Sequence, residues 1–368
     1  MASIKVLGRA RSDIDVISRA GLPLHEFMTE AADALLSVVP FVAGCVSTLD
    51  PATAMVSGTL KLEALLGRND ADVEWARIEY GDDDPTTMQA LLLAGRVVVG
   101  MSQETHGAVE RSVRMADLLV PYFGFHDEAR VVFADRAGAW GSLSLFRGGD
   151  DRVFSSDELG FLELVAPAFT RGIRTGILAQ LGRTPRPLET GPAVVILDAN
   201  DRIVQTSERA RQLYDRMAST PQGADPLLVV QALVSGARRN AREGTGRAPR
   251  VRIRTVDGEW LVLHAALLSG DTDRSGEVIV TIEQARPKEV VDLVAGAFGL
   301  TARESDVMAL VLRGADTRHI ADALHLSPYT VQDHLKSIFE KSGAASRREL
   351  VARIYFDQYG LRHESAAG

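Results

Sequence analysis

The chain has almost no cysteine, since Cys45 is the only one among its 368 residues. A disulfide framework is therefore excluded, and so is a metal site built on a cysteine pair. Long apolar runs are also missing: the longest candidate, MQALLLAGRVVVGM, is broken by Arg96 and falls short of the ~20 residues that a membrane helix requires. The amino-terminal MASIKVLGRARSD has no apolar segment of signal-peptide length. We therefore predict a cytoplasmic protein without membrane association.

Common catalytic motifs are absent as well. The sequence contains no GxSxG elbow, no GxxxxGK[ST] phosphate loop, no GxGxxG turn and no HExxH zinc helix. Ser102 and His106 lie close together in MSQETHG, but the sequence shows no third group that could orient them. We predict that the protein is not an enzyme and has no catalytic residues and no metal site; the sequence identifies no cofactor.

The net charge of −8 is unevenly distributed. Residues 1–180 carry −9, residues 181–298 carry +1 and residues 299–368 carry 0. Long-range attraction to a polyanion such as DNA is therefore weak, although a local basic patch still acts within a Debye length of about 8 Å. The overall charge neither supports nor excludes nucleic-acid binding.

Two interruptions divide the chain, whose length suggests two or three domains. The segment LGRTPRPLETGP has three prolines and two glycines, and a second break lies near residues 285–288, before the helical pattern KEVVDLVAGAF. The predicted organisation is a first domain, a linker, a second domain, a linker helix and a third domain, at residues 1–180, 181–191, 192–286, 287–298 and 299–361.

The first domain is predicted to mix helices and strands. LHEFMTEAADALLSVV has helical spacing, GCVSTLDPATAMVSGTL alternates like a hairpin, and ARVVFADRAGAWGSLSLFRGGD contains two strands. The segment FSSDELGFLELVAPAFTRGIRTGILAQL predicts a helix whose apolar stripe either packs on its own sheet or pairs with a second subunit. AWGSLSLFR and FSSDELGFLELVAPAF resemble a GAF domain, an α/β sensory module that often binds small molecules.

The GAF resemblance implies a pocket between the sheet and its covering helices. Seven side chains are candidates for its lining, although aromatic and methionine residues are more often simply core: Cys45, Trp75, Tyr80, Met101, His106, Tyr122 and Trp140.

The second domain is predicted to contain five strands. Val194–Leu197 and Ile203–Gln205 flank a polar turn, and Ser207 can cap the helix that follows. VRIRTVDGEWLVLHAALL contains a hairpin at Asp257-Gly258, and GEVIVTIEQA adds one strand. Two strands, helices and then three antiparallel strands is the order of a PAS domain, which this segment resembles. A structural spacer is an equally good interpretation.

The third domain has the pattern of a helix-turn-helix. LTARESDVMALVLRG predicts a helix that ends near Arg313 and is followed by Gly314. Asp316 or Thr317 can cap a short second helix, and SPYTVQDHLKSIFEKSG begins with Ser327 as N-cap and Pro328 in the first turn. Two helices joined by so short a turn form a helix-turn-helix.

A helix-turn-helix often serves structure alone, but if the helix at residues 327–341 enters a major groove, its exposed face can read bases and its flanking groups can contact phosphates. In a major groove, Gln332 can pair with adenine, Lys336 with guanine and Asp333 with the cytosine amino group. Phosphate contacts are assigned to residues at its two ends and at the start of the fourth helix: Tyr329, Thr330, Lys341, Ser346 and Arg347.

Residues 300–354 are similar throughout to the LuxR-family DNA-binding domain, including LTARE, the IA..L pattern of the second helix, SPYTVQDHLKSIFEKSG and SRREL. The resemblance implies the same base contacts and, except for Tyr329, the same phosphate contacts, and it implies that Arg303 and Glu304 tie the first helix to the rest. The fold class is thus predicted as multidomain α+β: a GAF-like α/β domain, a PAS-like α+β domain and an all-α four-helix domain.

The functional prediction is a one-component transcription regulator. We expect a homodimer on a two-fold-symmetric site of double-stranded DNA, with RNA polymerase as a possible further partner and a small-molecule effector whose identity is unknown. The alternative is a ligand- or partner-binding scaffold whose carboxyl-terminal domain makes only protein contacts.

Overall fold

A computed structural model describes residues 4–81, 84–179, 191–217, 226–245, 248–255, 258–268 and 276–356. Most of the predicted linker 181–191, Asp257 of the predicted hairpin and residues 357–361 of the predicted third domain lie outside this part of the chain. We call residues 4–179 the amino-terminal region, 191–284 the middle region and 299–356 the carboxyl-terminal region.

The amino-terminal region contains an antiparallel sheet with the strand order β2-β1-β5-β4-β3. Its strands are β1 Ala43–Leu49, β2 Val56–Glu63, β3 Val98–Gly100, β4 Phe125–Asp135 and β5 Gly138–Gly148. The helices are α1 Ile4–Arg19, α2 Leu24–Leu36, α3 Asp72–Gly81, α4 Met88–Leu93, α5 Met101–Glu104 and α6 Ser156–Ala179, with a 3₁₀ turn at Val109–Arg111 and a π-helical segment at Arg114–Phe123. Both predicted strand pairs are present, as are the two predicted helices.

Helix α6 packs on its own sheet, which was the first of the two interpretations. Phe169 is fully buried, stacks on Phe133 of β4 with ring centroids 4.7 Å apart and meets the edge of Phe27 of α2. Helix α1, which the sequence analysis did not identify, covers the outer side of α6 and contributes buried Ala10 and Ile14. Tertiary packing of this kind supplies most of the stability of an amphipathic helix.

The middle region repeats the same sheet topology, with the order β7-β6-β10-β9-β8. Its elements are β6 Ala193–Leu197, β7 Ile203–Thr206, α7 Glu208–Met217, α8 Leu227–Glu243, β8 Arg250–Arg254, β9 Trp260–Leu267 and β10 Val278–Gln284. The hydroxyl of Ser207 accepts a hydrogen bond from the Ala210 amide at 3.2 Å, as predicted for a cap. The middle region thus has two strands, helices and three further strands, and the amino-terminal region has the same sheet order with further helical segments between β3 and β4. The two regions confirm the GAF-like and PAS-like fold prediction.

Helix α9, Pro287–Ala297, connects both sheets to the carboxyl-terminal region. The buried Arg252 of β8 donates through Nη1 to the carbonyl of Glu289, at 2.8 Å. From the other side, Arg174 of α6 donates through Nη2 to the carbonyl of Ala297, also at 2.8 Å. Gly296 faces the Trp140 ring so closely that a Cβ there would lie 3.1 Å from it. The contacts therefore hold α9 at both of its ends.

The carboxyl-terminal region is helical: α10 Ala302–Leu312, α11 Thr317–Leu324, α12 Pro328–Ser342, α13 Arg347–Val351 and a π-helical segment at Ala352–Phe356. Apolar residues of α10, α11, α12 and α13 contribute to one core, which includes Val307, Val311, Ile320, Val331, Leu335, Ile338 and Leu350. None of the helices in the described part of the chain combines the length and the apolar character that a membrane crossing needs.

Candidate nucleic-acid interface

The caps that the sequence predicts set the positions of α11 and α12. Asp316 caps α11, since its side chain accepts a hydrogen bond from the His319 amide at 2.8 Å. Ser327 caps α12 by accepting from the Thr330 amide at 3.0 Å, with Pro328 in the first turn. His325 lies between these helices in the left-handed conformation, at φ 55°, which the sequence did not indicate. A two-helix unit with a tight turn results.

The predicted base-contacting residues share the solvent face of α12. Gln332, Asp333 and Lys336 are all exposed, whereas Val331 and Leu335 are buried on the other side of the helix. The amide of Gln332 donates to the hydroxyl of Thr317 at 3.1 Å, so its orientation is coupled to the start of α11. The structure therefore brings an amide, a carboxylate and an ammonium group together on one accessible helix face.

The predicted phosphate-contacting residues fall into two groups. Tyr329 is 78% exposed, and Thr330 and Ser346 lie at helix starts, where Ser346 caps α13 by accepting from the Glu349 amide at 3.2 Å. Lys341 and Arg347 have internal partners instead. Arg347 donates through Nη2 to the carbonyl of Ala315, at 2.5 Å. An arginine held in this way has less freedom to reach for a phosphate than its exposed neighbour Arg348.

Lys341 is part of a polar cluster that ties α12 to α10. Its ammonium group lies 2.7 and 2.6 Å from the two carboxylate oxygens of Glu304, which also accept from the Ser337 hydroxyl and the Thr301 amide. Burial alone would raise the pKa of Glu304, but the hydrogen bonds from Lys341, Ser337 and Thr301 lower it to about 2. Glu304 thus makes the tie that the family resemblance implied.

Arg303 does not share this structural role. It pairs with Asp306 of its own helix at 3.8 Å, and both side chains are more than half exposed. A pair of this kind contributes little to stability. The hydrogen bonds between Glu304 and Thr301 could be expected from the spacing in TARE, because a threonine followed three residues later by glutamate is the pattern of a capping box.

The seven predicted pocket residues are not brought together. Cys45, Trp75 and Tyr80 line a cavity of about 60 Å³ between the first sheet and α3. The other four lie outside it. Met101 is fully buried in a separate apolar cluster, His106 is exposed in a left-handed turn, Tyr122 donates to Asp70 near the surface, and Trp140 donates through Nε1 to Asp135 at 3.0 Å.

The cavity also contains polar residues that the sequence analysis did not identify: Ser47, Thr59, Lys61, Asp72, Glu79, Arg130, Ser142 and Ser144. The sequence pattern could have indicated the strand residues among them, because Ser142 and Ser144 alternate with Leu143 and Leu145 on β5 and alternate residues of a strand face opposite sides of the sheet. Among the residues that the structure describes, no group of three His, Cys, Asp or Glu side chains could hold a metal ion.

Comparison with known sequences finds a family match in the segment that contains α10 to α13. Residues 299–354 match the family model described as bacterial regulatory proteins, luxR family. The monoamine regulon transcriptional regulator of Klebsiella aerogenes is 34% identical over 119 residues, which are 32% of this chain and 51% of that protein. The uncharacterized transcriptional regulatory protein YhcZ of Bacillus subtilis is 25% identical over 181 residues, which are 48% of this chain and 78% of that protein. The chain therefore spans about half the length of the first of these relatives.

Solved structures are more distantly similar. The Vibrio cholerae VqmA dimer is 20% identical, covers 45% of this chain and 81% of its own, and has a TM-score of 0.21. The bacteriophytochrome RpBphP3 of R. palustris is 13% identical, covers 77% and 63%, and has a TM-score of 0.34. Scores this low do not establish a common arrangement of the whole chain. The family match is local and specific, and through residues 299–354 the chain carries the helix-turn-helix domain of the luxR family of bacterial regulatory proteins.

Proposed function

We propose that the protein is a cytoplasmic one-component transcription regulator that binds double-stranded DNA through α12. The observation that carries this proposal is the exposed face of Gln332, Asp333 and Lys336 on a capped helix, within the segment that matches the luxR family. On this single helix face, the Asp333 carboxylate can accept hydrogen bonds from base edges, and Gln332 and Lys336 can donate them. The curated relatives are transcriptional regulators, which supports regulation rather than catalysis.

The proposal assigns a separate role to each part of the chain. Residues 1–180 and 192–286 act as sensory domains, residues 181–191 and 287–298 connect them, and residues 299–361 bind DNA. A homodimer would place two α12 helices in successive major grooves of a two-fold-symmetric operator, and RNA polymerase is the proposed downstream partner. The contacts of α9 with Arg252 and Arg174 support a mechanical connection between the sensory sheets and the DNA-binding helices.

Replacing Lys336 with alanine tests base reading. The ammonium group is on the exposed face and buries nothing, so the variant should fold normally and lose about 1 to 3 kcal/mol, roughly 5- to 150-fold, on the preferred site. The preferred site is first selected from random DNA by the protein itself, and affinity is measured by fluorescence anisotropy at fixed salt.

Lys288→Ala is the matched control for this test, because Lys288 is an exposed lysine on α9, away from the reading face. It should leave the affinity unchanged. Equal affinities of Lys336→Ala and the parent protein would contradict the base contact. If the parent protein selects no DNA sequence at all, the scaffold alternative is favoured instead.

Replacing Arg347 with alanine tests phosphate contact. We expect weaker binding to cognate and unrelated DNA alike, with the slope of log affinity against log salt reduced by about 1. Because Arg347 also donates to the Ala315 carbonyl, a thermal unfolding curve is needed to show that the α10–α11 turn is intact. A loss confined to one DNA sequence would count against a phosphate role.

A further inference from the structure

One face of the first sheet is buried and yet polar. On β5, Leu143 and Leu145 point to the side of α6, whereas Ser142 and Ser144 point under α3 and are only 6% and 4% exposed. Arg130 of β4 faces the same side and is 1% exposed. A sheet face that is covered by a helix normally carries apolar side chains. The polar lining therefore needs an explanation other than packing.

The charges around the cavity already have counterions within the protein. Lys61 lies 2.7 Å from Asp72, and Arg130 lies 2.6 Å from Glu79, which also pairs with Arg114. Glu128 completes the group, with an oxygen 3.5 Å from Nε of Arg130.

Three cations thus face three carboxylates in this cluster, and Asp84 interacts with both Arg114 and Arg130 from nearby. Burial raises the pKa of Glu128 even with two arginines beside it, so the site disfavours a further buried charge. An anionic ligand would find no unpaired cation, and a cation would meet the guanidinium of Arg130.

Some hydrogen-bond donors, in contrast, remain available. The Nε groups of Arg130 and Arg114 lie 3.5 and 3.8 Å from oxygens of Glu128, but the Nη1 groups of both arginines have no hydrogen-bond acceptor among the residues that the structure describes, although both side chains are buried. Buried donors in proteins nearly always have an acceptor. Since Arg130 lines the cavity, an occupant with a strong acceptor atom would satisfy it.

One residue of the cavity lining comes from the middle region. Leu228, near the start of α8, lines it together with Met88 of α4 and Ala76 of α3. Helix α8 lies against α3, so that Gly81 approaches Ser235 closely. An occupant would therefore contact both sheet-containing regions at once.

We propose that this cavity binds an uncharged polar small molecule, with a carbonyl-type oxygen that accepts hydrogen bonds from Arg130 and with Leu228 as its lid. The role of such a molecule as an effector rests on the proposed regulator function. Its binding does not, and it can be measured without DNA. A failure of Lys336→Ala to affect operator binding would thus leave the following test intact.

The alkylation rate of Cys45 reports which molecules enter the cavity, because Cys45 is the only cysteine and lies in the cavity lining. Iodoacetamide and iodoacetate have nearly the same shape and differ in charge. With either reagent the Cys45 thiolate attacks the methylene carbon, a C–S bond forms, the C–I bond breaks, iodide leaves and the thiol proton passes to solvent. Burial raises the pKa of Cys45 to about 11, so a mildly alkaline buffer and long incubation are appropriate.

The alkylation rates are measured by intact mass spectrometry on the full chain, folded and in concentrated urea, with Cys45→Ser as background. We expect the ratio of the iodoacetamide rate to the iodoacetate rate to be at least about tenfold higher in the folded protein than in urea. Acetamide should slow the iodoacetamide reaction, and acetate should not. An unchanged or inverted ratio overturns the proposal, and so does the absence of any reaction in the folded protein when both reagents react in urea.

The lid is tested with two leucines of the same helix. Leu228→Ala should raise the alkylation rate of folded protein, because it opens the cavity wall. Leu233→Ala removes the same atoms from a fully buried position of α8 that does not line the cavity, and the rate should change little. Equal acceleration in both variants would mean that α8 has merely loosened, which contradicts the role of Leu228 as the lid.

Discussion

Replacing Asp50 with alanine is expected to destabilise the protein by about 3 to 5 kcal/mol, because it leaves a buried arginine without its counterion. Asp50 lies between β1 and β2 and is 2% exposed. One of its carboxylate oxygens accepts from the backbone amide and Nε of Arg252, both at 2.8 Å, and the other accepts from Nη2. Burial would raise the pKa of Asp50, yet the bonds from Arg252 outweigh it and lower the pKa. The ion pair is thus expected to persist at neutral pH.

The location of this pair extends the effect beyond local stability. Arg252 belongs to β8 of the middle region, and it also donates to the carbonyl of Glu289 in α9. Without Asp50, the amino-terminal region loses its buried polar connection to the strand that holds α9. We therefore expect the unfolding of the two sheet-containing regions to become less coupled, so that a single urea transition broadens or separates into two.

Urea unfolding followed by tryptophan fluorescence measures this effect. The midpoint should fall by roughly 1 M or more in Asp50→Ala, and by less in Asp50→Asn, which keeps one acceptor oxygen. Asp13→Ala is the control: Asp13 pairs with Arg9 at 3.8 Å, both side chains are more than half exposed, and the midpoint should hardly move. Similar midpoints for Asp50→Ala and Asp13→Ala would sink the assignment of Asp50 as a structural connector.

The Glu304 cluster is expected to make the carboxyl-terminal helices sensitive to acid. A carboxyl group whose pKa is lower in the folded chain stabilises the fold above its unfolded pKa, and this contribution is lost as the pH falls towards the folded pKa. For Glu304 the pKa falls from 4.5 to about 2, so the loss occurs between these two pH values. The stabilisation lost when Glu304 is protonated amounts to about 2 to 3 kcal/mol. This value is smaller than the full pKa shift would give, because solvent screens the one-third exposed side chain of Lys341.

Calorimetry of the parent protein and Glu304→Gln across this pH range provides the measurement. The glutamine keeps the shape of the side chain but cannot titrate, so the difference in melting temperature should be largest above pH 4.5 and nearly vanish at pH 2. Glu340→Gln, an exposed substitution on α12, should show a small difference at every pH. A gap between parent and Glu304→Gln that stays constant with pH would contradict the proposed linkage.

Local signals in the sequence were sufficient for much of the fold. The caps Ser207, Asp316 and Ser327 were identified from side-chain chemistry, and each accepts the expected backbone hydrogen bond. Strand pairs were identified from alternation and turn residues. Most elements between β2 and β4 were not, because short segments such as α4 and α5 acquire their structure from what covers them. Helix α1 was also missed, although its 16 residues have helical periodicity.

The site predictions had a different outcome for each surface. Residues of one helix face, such as Gln332 and Lys336, can be grouped from a period of 3.6, and the structure places them together. The cavity lining comes from four strands and three helices, so no local period unites Cys45, Arg130 and Leu228. Residues chosen as pocket candidates by type alone, such as His106 and Tyr122, lie elsewhere.

By itself, the sequence determined the helix-turn-helix, its caps and the exposed face of α12, because these depend on hydrogen bonds and spacings within about four residues. Only the tertiary structure decided that Lys341 pairs with Glu304, that Asp50 pairs with Arg252, and that a buried polar cavity lies under α3. Each of these contacts joins residues from separate elements. The partner of a buried charge is therefore set by how the elements pack, which no local pattern encodes.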